Sequence, residues 1–392
     1  MSKVKDNLLF KLLVAIIIGV VVGLLVNETI IGILMTIKEI VGQFIFFCVP
    51  LIIIGFITPA IVELKSNATK MLGATLAIAY TSSVLGGTFS AISGYAIIPK
   101  LNIPTDVASL KELPNLVFQL NIPPILSVMS ALVFSIMIGL AINWTKSKNL
   151  ESIFQEFNKV ILAVVNKMVI PALPIFIATT FASLSYEGSI TRQLPVFISI
   201  IIIVLVAHWI WIALLYALGG VISKENPLEV LKHYGPAYVT ALGTMSSAAT
   251  MSVALESARK SKVLDREVID FVIPFGATAH LCGSVITEVF FVMTISKIIY
   301  GQIPPVGTMI LFIILLGLFA VAAPGVPGGT VMASLGIVTG VLGFDTAGVA
   351  LLMSIFALQD SFGTACNITG DGAIALMITG IFKNKKKQVK TS

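Results

Sequence analysis

The chain has 392 residues, 57% of them hydrophobic and 11% charged, with a mean hydropathy of +1.03. That balance describes a polytopic membrane protein of spanning helices and leaves no room for a large soluble domain. The net charge of +6 does not indicate nucleic-acid binding, because the basic residues lie at the ends and in loops. Three cysteines, Cys48, Cys282 and Cys366, stand in apolar surroundings without metal-ligand spacing, so no disulfide framework is implied.

Apolar runs predict full-length helices over 8–26, 30–62 and 71–98, then a polar, proline-containing loop over 99–124. Further helices are predicted over 125–144, 154–184 and 194–222, with a charged connector at the membrane surface over 146–156. Pro171 and Pro174 should bend the fifth of these helices. The first run carries no small-residue cleavage site and reads as a retained helix, not a signal peptide. Lys3, Lys5 and Lys11 precede or enter the first run, and Lys383, Lys385, Lys386, Lys387 and Lys390 follow the last. The positive-inside rule then puts both termini in the cytoplasm and makes the number of crossings even.

The pattern changes after Ile222. Residues 227–260 are apolar but interrupted by Thr244-Met245-Ser246-Ser247-Ala248-Ala249-Thr250, and neither half is long enough to span. Residues 268–300 read as a full helix with a polar middle containing Gly276, Thr278, His280, Cys282 and Ser284. Residues 305–343 repeat the broken form around Ala323-Pro324-Gly325-Val326-Pro327-Gly328-Gly329-Thr330, and a polar-centred helix follows again. A kink in an ordinary helix would explain one such break. Two breaks in corresponding positions point instead to re-entrant hairpins facing a midplane site, as in secondary transporters. Counting them as hairpins leaves eight crossings, which agrees with the even number.

The last helix, 348–382, carries Asp360, Thr364, Asn367 and Asp371 at offsets of 0, 4, 7 and 11, one narrow stripe on a 3.6-residue period. A carboxylate at membrane depth costs roughly 2.5–3.5 kcal/mol on insertion scales, so two on one face read as the wall of a polar site. Such a wall suits a free amino acid. Asp360 and Thr364 would meet an ammonium, and Asn367 with backbone N–H groups at the breaks would meet a carboxylate. Ser246 and Ser247 sit at the first tip, and Gly325, Gly328 and Gly329 at the second. Asp371 is the natural ligand for a hard cation, with backbone carbonyls completing an oxygen shell.

Together the segments TMSSAAT, GATAHLCGS, GVPGG and LQDSFGTACNITGD are similar to those of the dicarboxylate/amino acid:cation symporters, the glutamate and neutral amino acid transporters. The resemblance covers nearly the whole chain and is nearest in motif to the serine/threonine-transporting branch. It implies an all-α fold of eight transmembrane helices plus two re-entrant helical hairpins, in a homotrimer; a multi-pass protein of the cell (plasma or inner) membrane, and not an enzyme, is expected. Residues 1–66 and 99–190 would form the scaffold. Residues 67–98 and 191–383 would form the mobile transport domain of an elevator, with hairpins at 227–260 and 305–343, and 384–392 a basic cytoplasmic tail.

The resemblance assigns Asp360 to the substrate ammonium, Asn367 to its carboxylate, Thr364 beside them, and Ser246, Ser247, Val326, Pro327 and Gly328 to the two tips. It assigns Asp371, with carbonyls of Gly276 and Asn367, to one sodium site and Thr278 to a second. Gly363 stands where acidic-substrate members carry arginine, and Met245 where some members carry one in the first hairpin. A second substrate carboxylate would therefore be buried unpaired, and a serine-, threonine- or alanine-like substrate is implied. His280 and Cys282 replace the asparagine and aspartate of a third sodium site, where Thr81 and Ser82 would supply hydroxyls. Sodium is the coupling ion implied, with a proton on His280 as the alternative; Glu288, eight residues on, reads equally as that histidine's partner on the same face or as a conventional buried or interfacial acid. His280 hydrogen-bonded as a structural residue is the plainer reading, and His208 and His233 read as interfacial or satisfied residues.

Three rivals are open: a sodium-independent or proton-coupled carrier of another small carboxylate or amino acid, cystine and dicarboxylates included; a channel; and an intramembrane protease. An aspartyl dyad is excluded by spacing. Asp360 and Asp371 lie 11 residues apart, about 16 Å along a helix, and carboxylates sharing a proton stand about 3 Å apart.

Overall fold

The computed structural model describes residues 8–66, 70–101, 111, 113–188, 190–323 and 325–391. At 8–9, 46, 60, 63–66, 128–129, 132, 190–194 and 384–391 it describes the backbone alone. Lys3, Lys5, Pro324 and most of the loop after residue 101 therefore lie outside the described residues, as do the side chains of the lysines beyond Lys383.

Every regular element among the described residues is helical: α1 (Leu8–Leu25), α2 (Glu28–Ser66), α3 (Lys70–Ile97), α4 (Val128–Thr145), α5 (Lys148–Val164), α6 (Ile170–Glu187), α7 (Ile190–Ser223), α8 (Pro227–Leu231), α9 (Gly235–Thr244), α10 (Ser247–Arg259), α11 (Arg266–Ala279), α12 (Cys282–Tyr300), α13 (Val306–Ala322), α14 (Gly329–Gly340) and α15 (Thr346–Thr391). Among the described residues, six segments are long and apolar enough to cross a membrane: Glu28–Pro59, Lys70–Lys100, Lys148–Glu187, Pro195–Ser223, Arg266–Tyr300 and Thr346–Lys383. Phe10–Leu25 and Val133–Thr145 are shorter apolar stretches. The chain is thus a helical membrane protein.

The helices sort into two packed groups. In one, α2 packs against α4, α5 and α6, and α1 lies along α6. In the other, α15 is the central post, touched by α7, α9, α11 and α12, while α3 packs on α12 and α13. The post is buried almost throughout Val349–Gly380, which explains why a helix with so many small and polar residues is stable there. Glycines let its neighbours approach closely: an added Cβ at Gly219 of α7 would stand 3.3 Å from the Ala373 carbonyl oxygen.

Three boundaries differ from expectation. The predicted continuous helix over 268–300 is interrupted: His280 is extended (φ −120°, ψ 94°) and closes α11, and α12 begins at Cys282. The charged stretch 146–156 is not a connector. Lys146 caps α4 in the left-handed region, and α5 starts two residues later as an amphipathic helix whose polar face accommodates the charges. The final helix continues as backbone through Thr391, where a tail had been expected from 384.

The bend expected at Pro171 takes the form of a π-turn over Val165–Val169, in which the Ile170 N–H donates to the Val165 carbonyl. Proline cannot donate and its ring crowds the carbonyl four residues back, so widening the preceding turn relieves both problems. The described part of the 99–124 loop is tied to α2, where the Val117 N–H donates to Thr36 Oγ1 at 2.9 Å and the Ile122 N–H to Gln43 Oε1 at 2.8 Å.

Candidate functional site

Both predicted breaks are present. The first lies between α9 and α10, where Met245 takes the left-handed region (φ 52°) and Ser246 is extended. The second lies between α13 and α14, where Ala323 is extended and Gly328 has φ 70°. The arms hold 10 and 13 residues, then 17 and 12. At 1.5 Å per residue each arm is shorter than the hydrocarbon layer of about 30 Å. The arms of each pair pack against each other.

The two tips meet. Ser246 Oγ donates to the Gly325 carbonyl at 2.6 Å, and the Ala248 N–H donates to the same oxygen at 3.1 Å. Ser246 Oγ also accepts the Ala249 N–H at 3.2 Å, capping α10. Gly325 permits this contact because a Cβ there would lie 2.7 Å from the Ala277 carbonyl at the end of α11. Ser246→Ala is expected to lower stability by about 1–2 kcal/mol, a lost cap plus one lost hydrogen bond. The fall in melting temperature of the purified protein in detergent measures it.

The polar stripe on α15 addresses these breaks one by one. Asp360 Oδ2 accepts the Gly328 N–H at 2.7 Å, so the first carboxylate holds the second tip. Around Asp360 lies a small cavity lined by Met245, Pro327, Gly328, Val331, Met332, Met353, Phe356 and Ala357, with Leu12 of α1 and Leu173 of α6 completing the wall. Among the described residues the lining therefore holds one acid, no lysine and no arginine, and it lies on the seam between the two helix groups. Thr364 is buried one turn on, as are Ser247 and Val331. Gly363 faces α12, with an added Cβ 3.5 Å from the Ser284 backbone. Val326 and Pro327 form the second tip beside Gly328, the Val326 carbonyl accepting the Gly329 N–H.

Asn367 has a task that spacing alone does not show. The break at His280 leaves the first N–H groups of α12 without intrahelical partners, and Leu281 provides no side-chain cap. Asn367 Oδ1 accepts the Gly283 N–H at 2.7 Å and the Ser284 N–H at 3.3 Å, while Nδ2 donates to Ser284 Oγ at 3.0 Å. The amide caps a helix of another segment.

Asp371 meets His280. His280 Nδ1 lies 2.9 Å from Asp371 Oδ1, and its Nε2 lies 2.9 Å from Ser82 Oγ of α3. Of the two readings of Glu288 the structure matches the buried acid and not the partner of His280: Glu288 accepts the Ser334 hydroxyl of α14, and its Oε2 has no hydrogen-bond partner. The helical period linking residues 280 and 288 does not survive the break between them. His208 fits the structural reading, with Nε2 2.9 Å from the Gly283 carbonyl and 3.0 Å from Thr287 Oγ1. His233 stands 3.7 Å from Glu229.

The oxygen set expected around Asp371 is only partly assembled. Gly276 abuts the carboxylate, since a Cβ there would be 2.6 Å from Oδ1, but its carbonyl accepts the His280 N–H at 2.8 Å. Thr278 is exposed, with its hydroxyl on the Phe275 carbonyl of its own helix, and Thr81 is exposed as well. Of the third-site residues, Ser82, His280 and Cys282 are buried together.

Two helix breaks thus close on a polar, buried post beside a cavity with a single carboxylate, in a helical membrane protein. The profile of the sodium:dicarboxylate symporter family matches residues 8–381, and the chain belongs to that family. Among curated proteins it is similar to excitatory amino acid transporter 2 of Homo sapiens, 29% identical over 197 residues, which cover 50% of this chain and 33% of that protein. The Mus musculus counterpart is 26% identical over 268 residues, 66% and 46% of the two chains. Excitatory amino acid transporter 3 of Bos taurus is 25% identical over 272 residues, 68% and 51%. The chain thus matches between a third and a half of the length of these relatives.

Proposed function

We propose that this protein is a secondary active transporter, a cation-coupled symporter of a small neutral amino acid of the serine, threonine or alanine kind. The observation that carries the reading is the environment of Asp360: a buried carboxylate at a helix break, in a cavity whose lining contains no cation. Such a group favours an ammonium, and the same lining gives a second substrate carboxylate no partner. Met245, Met332 and Met353 supply adaptable apolar surface for a short side chain. In this reading Thr364, Ser246, Ser247 and the Gly328–Gly329 backbone complete the pocket. Asn367 contributes through the amide hydrogen that Ser284 does not take.

The eight crossings follow if α1 and α4 span as well. Each holds 18 residues, about 27 Å of helix, close to the hydrocarbon thickness. The two short-armed pairs are then re-entrant hairpins, and both termini face the cytoplasm. The group built on α15 would be the transport domain and the group built on α2 the scaffold of a homotrimer. Sliding along the seam that carries Leu12, Leu173 and the cavity would be the elevator stroke.

Counterflow of labelled serine, threonine or alanine into proteoliposomes preloaded with the same unlabelled amino acid is expected. Its absence, with conductance in its place, would favour a channel. Applying sodium and proton gradients separately then identifies the coupling cation, and a panel including aspartate, glutamate and cystine tests the substrate class.

A further inference from the structure

Ser82, His280 and Asp371 come from three separate elements, α3, the end of α11 and α15, and form one buried chain. Ser82 is 5% exposed, His280 and Asp371 are 0% exposed. The order of contacts is that of a hydrolytic triad. Ser82 nevertheless lies in the middle of an unbroken helix, with no nucleophile elbow around it. One imidazole tautomer satisfies both neighbours: Nδ1–H donates to Asp371 Oδ1, and Nε2 accepts from the Ser82 hydroxyl. The ring is also closely packed, since an added Cβ at Gly370 would stand 2.8 Å from His280 Cε1.

This arrangement does not fit the sodium that the sequence resemblance implies at Asp371. A small hard cation takes several oxygen ligands. Here the His280 Nδ1 stands 2.9 Å from one carboxylate oxygen, and the side chains around the carboxylate are the imidazole, the Cys282 thiol and the phenols of Tyr216 and Tyr234, with no second carboxylate among them. The Gly276 carbonyl is engaged, and Thr278 and Thr81 are exposed elsewhere. Asp371 Oδ2 is the one buried oxygen of the carboxylate without a hydrogen-bond partner.

We infer that His280 closes the Asp371 position to sodium, the imidazole occupying the place of an inorganic ion, and that His280 is the residue that sets this carrier's ion specificity. The inference rests on the transporter reading for its meaning in coupling, and its test does not require transport. Melting curves of the purified protein are recorded against increasing sodium chloride, with choline chloride at equal ionic strength as control. A ligand that binds the folded state alone raises the melting temperature in a saturable way.

The wild-type protein is expected to show no such rise that depends on Asp371. His280→Asn, which removes the ring and offers an amide oxygen, is expected to gain one, and Asp371→Asn added to it to lose it again. A saturable rise in the wild type that Asp371→Asn abolishes overturns the inference. So does a cooperatively melting His280→Asn that gains no response. If His280→Asn does not melt cooperatively, the wild type and Asp371→Asn decide between them. Counterflow on the same preparation keeps the two readings apart, because its failure removes the carrier and leaves the sodium result standing.

Discussion

Asp360→Asn is expected to abolish saturable amino acid uptake while leaving the protein folded. The substitution keeps an oxygen where Asp360 Oδ2 accepts the Gly328 N–H at 2.7 Å, so the second tip keeps its anchor. Side-chain volume hardly changes, and the cavity keeps its lining. What disappears is the only charge in that lining. A substrate ammonium leaving water for this site would then have dipoles alone to meet it. Removing one partner of a buried pair costs about 3–5 kcal/mol, which is about two to four orders of magnitude in affinity. Binding of a labelled neutral amino acid to the purified variant, with its melting temperature alongside, separates lost recognition from lost structure. Uptake with unchanged apparent affinity would remove Asp360 from the ammonium site, and the proposed substrate class with it.

The sequence carries the breaks because their causes are local. Met245 and Ser246 end one helix and cap the next, and Gly328 takes a positive φ that few other residues adopt. The stripe on α15 is also local, a consequence of period alone. Its two acids share a face as predicted but serve different partners, Asp360 the Gly328 N–H and Asp371 the His280 ring. The third break was hidden because its cause is remote. No proline or glycine stands at His280 or Leu281, and the N–H groups exposed there are satisfied by Asn367, 84 residues away from Gly283. The Ser82 contact spans 198 residues of sequence. Periodicity cannot reveal a cap supplied by another helix, and it misleads where a helix is assumed to continue, as the pairing of His280 with Glu288 shows.

Two glycines on the α12–α15 seam should respond oppositely to the same added methyl group. At Gly283 a Cβ would lie 2.5 Å from Cys366 Cβ and 2.5 Å from the Gly363 carbonyl oxygen. Neither is the end of a flexible side chain, so α12 itself would have to move away from α15. That movement also pulls on the Gly283 and Ser284 N–H groups held by Asn367. Overpacking of this kind costs about 1–3 kcal/mol, and Gly283→Ala is expected at or above the upper end because a cap is strained as well. At Gly363 the nearest atoms to an added Cβ are 3.5 Å away, an ordinary contact. The residue lies within a continuous helix, where alanine is favoured over glycine by up to about 1 kcal/mol. Gly363→Ala is therefore expected to be neutral or stabilising, and the two melting temperatures should move apart. If Gly283→Ala melts as the wild type does, α12 is not held against the post at this point. The remote cap that ties the third break to the candidate site would then lose its structural basis.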